Sequence, residues 1–222
     1  MKIEKVSGFQ RIYQAESFPN DVEDMFKKNK GQRKRYLLWL YTWLSILDDQ
    51  GYDALALQQF EYLLSTNNPR LYALRRPHSQ INERYIFVYI DNEAAVLLTA
   101  FKEKKLTITR RPLHKQTEFI LSWRRIKMGI RDKIASAENN AWLIDALPEN
   151  ERKVAEFIAL IARSIQEQRR IQGLTQKQLA EKLGVSQAMV SQWENGMENF
   201  TAVTLVKISS ALGLRLNNPI SA

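Results

Sequence analysis

Apolar positions in the last third of the chain recur with the 3.6-residue period of helices buried along one face. From Val154 to Ile171 the stripe is Val154, Ile158, Ile161 and Ile165, with Arg169 and Arg170 near the end and Gly173 after it. Thr175 and Gln178 have the spacing of a capping box, which starts a second helix whose Leu179 and Leu183 point inward. Ala180 is small where two helices cross, Gly184 permits a tight turn, and Val185 fills the space beneath it. Ser186 caps a third helix running through Trp193. With Met189, Val190 and Trp193 inward or partly inward, Gln187, Ala188, Ser191 and Gln192 form its outer face. Thr201 opens a fourth helix that packs through Leu205, Ile208 and Leu212.

The earlier part of the chain mixes two periods. A strand is expected around Phe9–Gln14, and Phe18-Pro19-Asn20-Asp21 supplies the breaker and cap for a helix beginning near Val22. Gly31 interrupts it, Tyr36–Leu47 is densely apolar at helical spacing, and Gly51 ends that helix. A shorter helix is expected over Ala54–Leu64, closed by Asn67-Asn68-Pro69. The period then falls to two: Leu71–Arg75, Tyr85–Ile90, Ala95–Phe101 and Leu106–Thr109 read as strands of a small antiparallel meander, after which Pro112 opens a helical segment ending at Arg125. The expected fold is an α+β amino-terminal domain, helices plus a small antiparallel sheet, over residues 1–125. A junction over 126–153, with a short helix around Trp142–Ile144, leads to an all-α helix-turn-helix domain over 154–222. Met128-Gly129 fits either the start of a separate reading frame or an ordinary internal methionine.

A chain of 222 residues, 45% hydrophobic, is enough for one large domain or two small ones. No apolar run reaches the roughly 18–20 residues that span a bilayer, and no apolar core follows Lys2, Glu4 and Lys5, so a cytoplasmic location without a membrane partner is expected. With no cysteine and two separated histidines, neither a metal site nor a cofactor is expected. The formal charge of +9 is unevenly placed: residues 1–127 hold 22 basic against 14 acidic side chains, residues 128–222 hold 11 against 10. Excess positive charge in the first part favours phosphate polyanions, although it also fits a solvated surface.

The outer face of the third carboxy-terminal helix has groove-reading chemistry. Glutamine can bond two atoms of an adenine edge, and alanine can touch a thymine methyl. Leu174-Thr175-Gln176-Lys177-Gln178-Leu179-Ala180-Glu181-Lys182-Leu183-Gly184-Val185-Ser186-Gln187, with Ser191-Gln192-Trp193-Glu194-Asn195-Gly196 and Phe200-Thr201, resembles the Cro/repressor-like helix-turn-helix family over about sixty residues. The resemblance implies phosphate contacts from Gln176 and Asn195 and base contacts from Gln187, Ala188 and Gln192, with Ser186 and Ser191 in the same DNA-facing set. A protein-interaction module of the same fold is the bland alternative, and the near-neutral charge of this half keeps it open.

In the amino-terminal part, Leu71-Tyr72-Ala73-Leu74-Arg75, Arg84-Tyr85-Ile86-Phe87-Val88-Tyr89 and Leu97-Leu98-Thr99-Ala100-Phe101-Lys102 with Lys104-Lys105 resemble, in that order, the RelE/HigB-like toxins. That family implies a ribosome-dependent messenger RNA endoribonuclease, in which the ribose 2′-hydroxyl attacks the adjacent phosphate. The chemistry needs a proton acceptor, charge stabilisation and a proton donor. Arg75, Arg84, Lys102, Lys104, Lys105 and His114 are the candidates: arginine clamps a phosphate bidentately, lysine is a point charge, and histidine titrates near neutrality. Tyr85 or Tyr89 could stack on a base. Each has a duller reading, as solvated strand-end cations, ion-pair partners, a surface histidine and core tyrosines. Glu103 between Lys102 and Lys104 departs from the family pattern and puts the register in doubt.

Together the two resemblances imply a toxin joined to a HigA-like antitoxin. The nuclease would be neutralised by docking, within or between chains, of a DNA-binding homodimer that represses its own operator. Fusion makes such neutralisation nearly unimolecular. The alternative is a helix-turn-helix regulator whose amino-terminal domain senses a ligand or makes a dimer contact.

Overall fold

A computed structural model of the chain describes residues 1–28, 30–63, 71–76, 82–91, 93–102, 129–197 and 200–214. It divides into two compact units, Met1–Arg33 with Leu47–Ala146, and Lys34–Ile46 with Leu147–Ala222.

The first unit is built on a seven-stranded sheet. Its elements are β1 (Ile3–Val6), β2 (Ile12–Ala15), α1 (Phe18–Phe26), the last turn of α2 (Arg33–Gln50), a 3₁₀ turn at Gly51–Ala56, β3 (Phe60–Leu63), β4 (Leu71–Arg75), β5 (Glu83–Ile90), β6 (Ala94–Lys102), α3 (Ile130–Ala135), β7 (Asn139–Asn140) and α4 (Trp142–Asp145). The spatial order is β3-β4-β5-β6-β2-β1-β7. Neighbours pair antiparallel except β2 with β6 and β1 with β7, which run parallel. The expected meander is thus the β4-β5-β6 core of a larger, mixed sheet.

One sheet face buries Ile3, Leu71, Ala73, Ile86, Val88, Val96 and Leu98 together with Ile130 of α3. On the other, the Phe18 ring of α1 lies 6.5 Å from Tyr85 and 6.2 Å from Trp142 of α4. The Trp142 indole N–H donates to Gln14 Oε1 at 2.7 Å, and Thr99 Oγ1 to Asp21 Oδ2 at 2.8 Å. Burial along both faces explains why β5 and β6 read as near-continuous apolar runs.

Two expectations need correction here. The opening strand is two strands, β1 and β2, and Phe9 lies in the connection between them, where Gly8 takes φ +86° and an added Cβ would sit 2.6 Å from Ile144 Cδ1. The helix expected over Ala54–Leu64 is a 3₁₀ turn followed by strand β3. Phe60 and Tyr62 stand opposite Leu74 and Tyr72, with the Tyr62 and Tyr72 rings 5.7 Å apart. Cross-strand pairing therefore decides a segment whose apolar spacing also fits a helix. The strand expected at Leu106–Thr109 and the helical segment from Pro112 to Arg125 lie outside the described residues.

The second unit contains the middle of α2 (Lys34–Ile46), α5 (Glu149–Ile171), α6 (Gln176–Leu183), α7 (Gln187–Glu194) and α8 (Ala202–Leu212). Its core is Ile165, Leu179, Ala180, Val190, Trp193, Ile208 and Leu212. Helix α5 begins five residues before the expected start, and its buried face holds Ala155, Ala159, Ala162 and Ile165, whereas Val154 is 54% exposed. The reason is α2: the Thr42 hydroxyl donates to Ala155 O at 3.4 Å, Tyr41 to Glu156 Oε1 at 2.5 Å, and Lys34 pairs with Glu151 at 2.5 Å. The small side chains of α5 admit a neighbouring helix closely. The expected domain limits do not anticipate that residues 34–46 share a unit with the carboxy-terminal helices.

Candidate nucleic-acid interface

The turn between α6 and α7 is fixed locally. The Thr175 hydroxyl accepts from Gln178 N at 3.2 Å and the Gln178 side chain accepts from Thr175 N at 2.8 Å, so two N–H groups that α6 itself leaves unpaired are satisfied. Gly184 ends α6 in the left-handed conformation, φ 66°, and Val185 N returns to Ala180 O at 3.0 Å. Ser186 caps α7 by accepting from Met189 N at 3.2 Å. Each of these roles follows the sequence expectation.

Helix α7 is anchored by Val190, Ser191, Trp193 and Glu194, all buried, and it presents Gln187, Ala188, Met189 and Gln192 to solvent. One orientation differs from expectation: Ser191, expected outward, is buried, while Met189, expected inward or partly inward, is 41% exposed. The buried residues follow an i, i+1, i+3, i+4 pattern that the polar Ser191 and Glu194 conceal in the sequence.

The anchor of α7 is electrostatic as well as apolar. Glu194 is fully buried and Arg169 of α5 nearly so, and their guanidinium and carboxylate are bonded through two nitrogens. Arg169 also donates to Leu174 O at 2.7 Å, Gln166 donates to Glu194 O at 2.7 Å, and the Gln176 amide donates to Glu194 Oε2 at 2.8 Å. Buried charge needs this degree of pairing. The network ties α5, α6 and α7 into one orientation. Sequence reading missed it; the only available signal was Glu194 among inward positions, a residue type rarely buried unpaired.

The two residues expected to contact phosphate also bond within the unit. Gln176 is committed to Glu194, and Asn195, 1% exposed, donates from Nδ2 to Ser191 O at 2.6 Å while its own carbonyl accepts from Trp39 Nε1 at 3.0 Å. Gln187, Ala188 and Gln192 share an open face, with Ser186 exposed at its start. The amide groups of Gln187 and Gln192 carry both donors and acceptors, as reading base edges requires.

In the sheet unit, Arg75 and Arg84 are directly opposite on β4 and β5 and so share a face. Arg75 pairs with Glu61 Oε2 at 3.2 Å. Lys102 stands opposite the buried Glu83, on the other face of the sheet, the one that carries Tyr85. Tyr85 is fully buried, and Tyr89 lies 5.8 Å from Tyr52, its hydroxyl raised above the ordinary tyrosine pKa by burial. Lys104, Lys105 and His114 lie outside the described residues. Among the described residues, no His/Asp/Glu group could hold a metal ion, and no helix is long and apolar enough to cross a membrane.

No curated protein and no solved structure matches the chain. The comparisons hold no evidence for a RelE/HigB-like domain. One family model, described as Helix-turn-helix, matches residues 165–217, from the buried end of α5 past the end of α8. The carboxy-terminal part of the chain therefore carries a Cro/CI-type helix-turn-helix domain, which supports operator DNA as a partner and a role in transcriptional regulation.

Proposed function

We propose that the chain is a homodimeric, sequence-specific operator-binding repressor in which α7 enters the major groove. The observation that carries this is the open face of Gln187, Ala188 and Gln192 on a helix held by two caps and a buried ion pair. Gln187 and Gln192 bond adenine edges, and Ala188 touches thymine methyls, to which Met189 adds apolar surface. Ser186 and the amino-terminal amides of α7 meet phosphate, where the helix dipole favours an anion. Gln176 and Asn195 act by holding α7 rather than through free amides. Selection of bound duplexes from a random pool, followed by footprinting of the intact chain, tests this. Recovery of paired half-sites about one helical turn apart is the expected result; no enrichment over non-specific duplex overturns it.

A second, finer reading is a toxin-antitoxin fusion, in which the sheet unit cuts messenger RNA and the helix-turn-helix part neutralises it. The adjacent Arg75 and Arg84 favour it, since two guanidinium groups on one sheet face can grip one phosphate. Tightly controlled expression of residues 1–146, which include β7 and α4 of the sheet unit, is the test. Growth arrest with cleaved transcripts, relieved by residues 128–222 and absent in Arg75→Ala, is expected under this reading; normal growth with folded protein leaves the regulator alone.

A further inference from the structure

Helix α5 is apolar on a second face. Val154, Phe157 and Leu160, spaced by one turn each, are 54%, 44% and 53% exposed on the side away from the buried alanines. Single exposed apolar residues are ordinary, but three in a row on the outside of a 23-residue helix form a continuous stripe. We infer that this stripe is an interface between two copies of the chain, with the two α5 helices crossing antiparallel about a two-fold axis at Leu160.

The occupant is set by charge. Lys153 and Glu167, ion-paired within the helix to Glu149 and Arg163 at 2.7 Å each, keep side chains 71% and 44% exposed on the flank of the stripe, each seven residues from Leu160 in opposite directions. An antiparallel pair centred on Leu160 therefore brings Lys153 to Glu167 of the partner subunit, and the symmetry repeats the contact. A parallel pair instead sets Lys153 level with Lys153 and Glu167 level with Glu167, so the charges reject that arrangement while they select the antiparallel one. Such an isologous contact is self-complementary and closes at two copies. It rests on the homodimer of the proposed reading and names its interface; because it is measured without DNA, its failure is distinguishable from a failure of operator binding.

Sedimentation equilibrium of the full chain is expected to show a dimer. Leu160→Asp should abolish it with an unchanged circular dichroism spectrum and melting curve, since the side chain is half exposed. Lys153→Glu and Glu167→Lys should each weaken dimerisation about tenfold, two attractive contacts becoming repulsive, and the double reversal should restore it. The chain has no cysteine, so Leu160→Cys introduces a single thiol next to its own copy. Oxidation with diamide should yield a covalent dimer, whereas Val206→Cys, on the exposed side of α8, should not. A monomeric wild-type chain, a dimer that survives Leu160→Asp, or crosslinking through Val206 but not Leu160 overturns the proposal.

Discussion

The indole N–H of Trp39 donates to the carbonyl of Asn195 at 3.0 Å, which joins α2 to the residue that closes α7. These residues are 156 positions apart in the chain, and both are buried. The matched family segment, residues 165–217, therefore sits in a unit whose packing also draws on residues 34–46. Trp39→Phe keeps most of the ring volume and removes the donor, so a loss of about 1 kcal/mol in unfolding free energy is expected. A fragment starting at Met128, the only product of a separate reading frame there, lacks α2 altogether and should unfold at a markedly lower denaturant concentration than the same helices in the intact chain. Equal midpoints would show that α2 contributes nothing to the unit.

Arg169 and Glu194 form a bonded pair in a nearly dry site, and removing one partner differs from removing both. Glu194→Ala leaves the Arg169 charge buried without its carboxylate and should cost about 3–5 kcal/mol. The double replacement Arg169→Met with Glu194→Leu removes both charges at similar volume and should recover much of that loss. Chemical denaturation of the two variants decides it: a double variant as unstable as the single one would mean that the surrounding bonds from Gln166 and Gln176, rather than charge pairing, hold α7.

Local rules were legible wherever one residue type has one reason to be present. Thr175 with Gln178, Gly184 and Ser186 each satisfy a backbone requirement inside a span of four residues, and each plays its expected part. Strands β4, β5 and β6 were legible for a similar reason, since alternation and β-branched or aromatic content agree there. The parallel pairing of β2 with β6 and the strand nature of Phe60–Leu63 depend on partners distant in sequence, which no local pattern encodes. The exposed positions Gln187, Ala188 and Gln192 of α7 were readable, but Ser191 is buried and Met189 exposed, and the Asn195 amide that bonds Ser191 comes from the cap of the same helix, four residues on.

That difference separates two serine and glutamine substitutions that sequence alone treats alike. Gln187→Ala and Gln192→Ala each remove a base-edge donor and acceptor from the open face, and each should cost about 1–3 kcal/mol of specific affinity while relaxing preference at one operator position. Ser191→Ala should leave operator preference unchanged and act, if at all, on stability through the Asn195 contact at 3.3 Å. Competition binding with single-base operator variants measures both effects. A change of base preference in Ser191→Ala would place that side chain in the groove and reverse the assignment.

Tyr41 provides a stability signature at alkaline pH. Burial raises its hydroxyl first of all, and the hydrogen bond to Glu156 adds to it, so its pKa is pushed up to about 12. In the unfolded chain it titrates near the ordinary value of about 10. Between those values the native state keeps a proton that the unfolded state has lost, so stability contributed by this group is intact below pH 10 and falls as pH rises towards 12. Spectrophotometric titration should then show one of the eight tyrosines ionising late, near the alkaline end. Tyr41→Phe should remove that late step and flatten the decline of stability across the same window, while losing the hydrogen bond that joins α2 to α5. If the late step persists in Tyr41→Phe, another buried hydroxyl carries it, and Tyr89, whose pKa is also raised, is the next residue to replace.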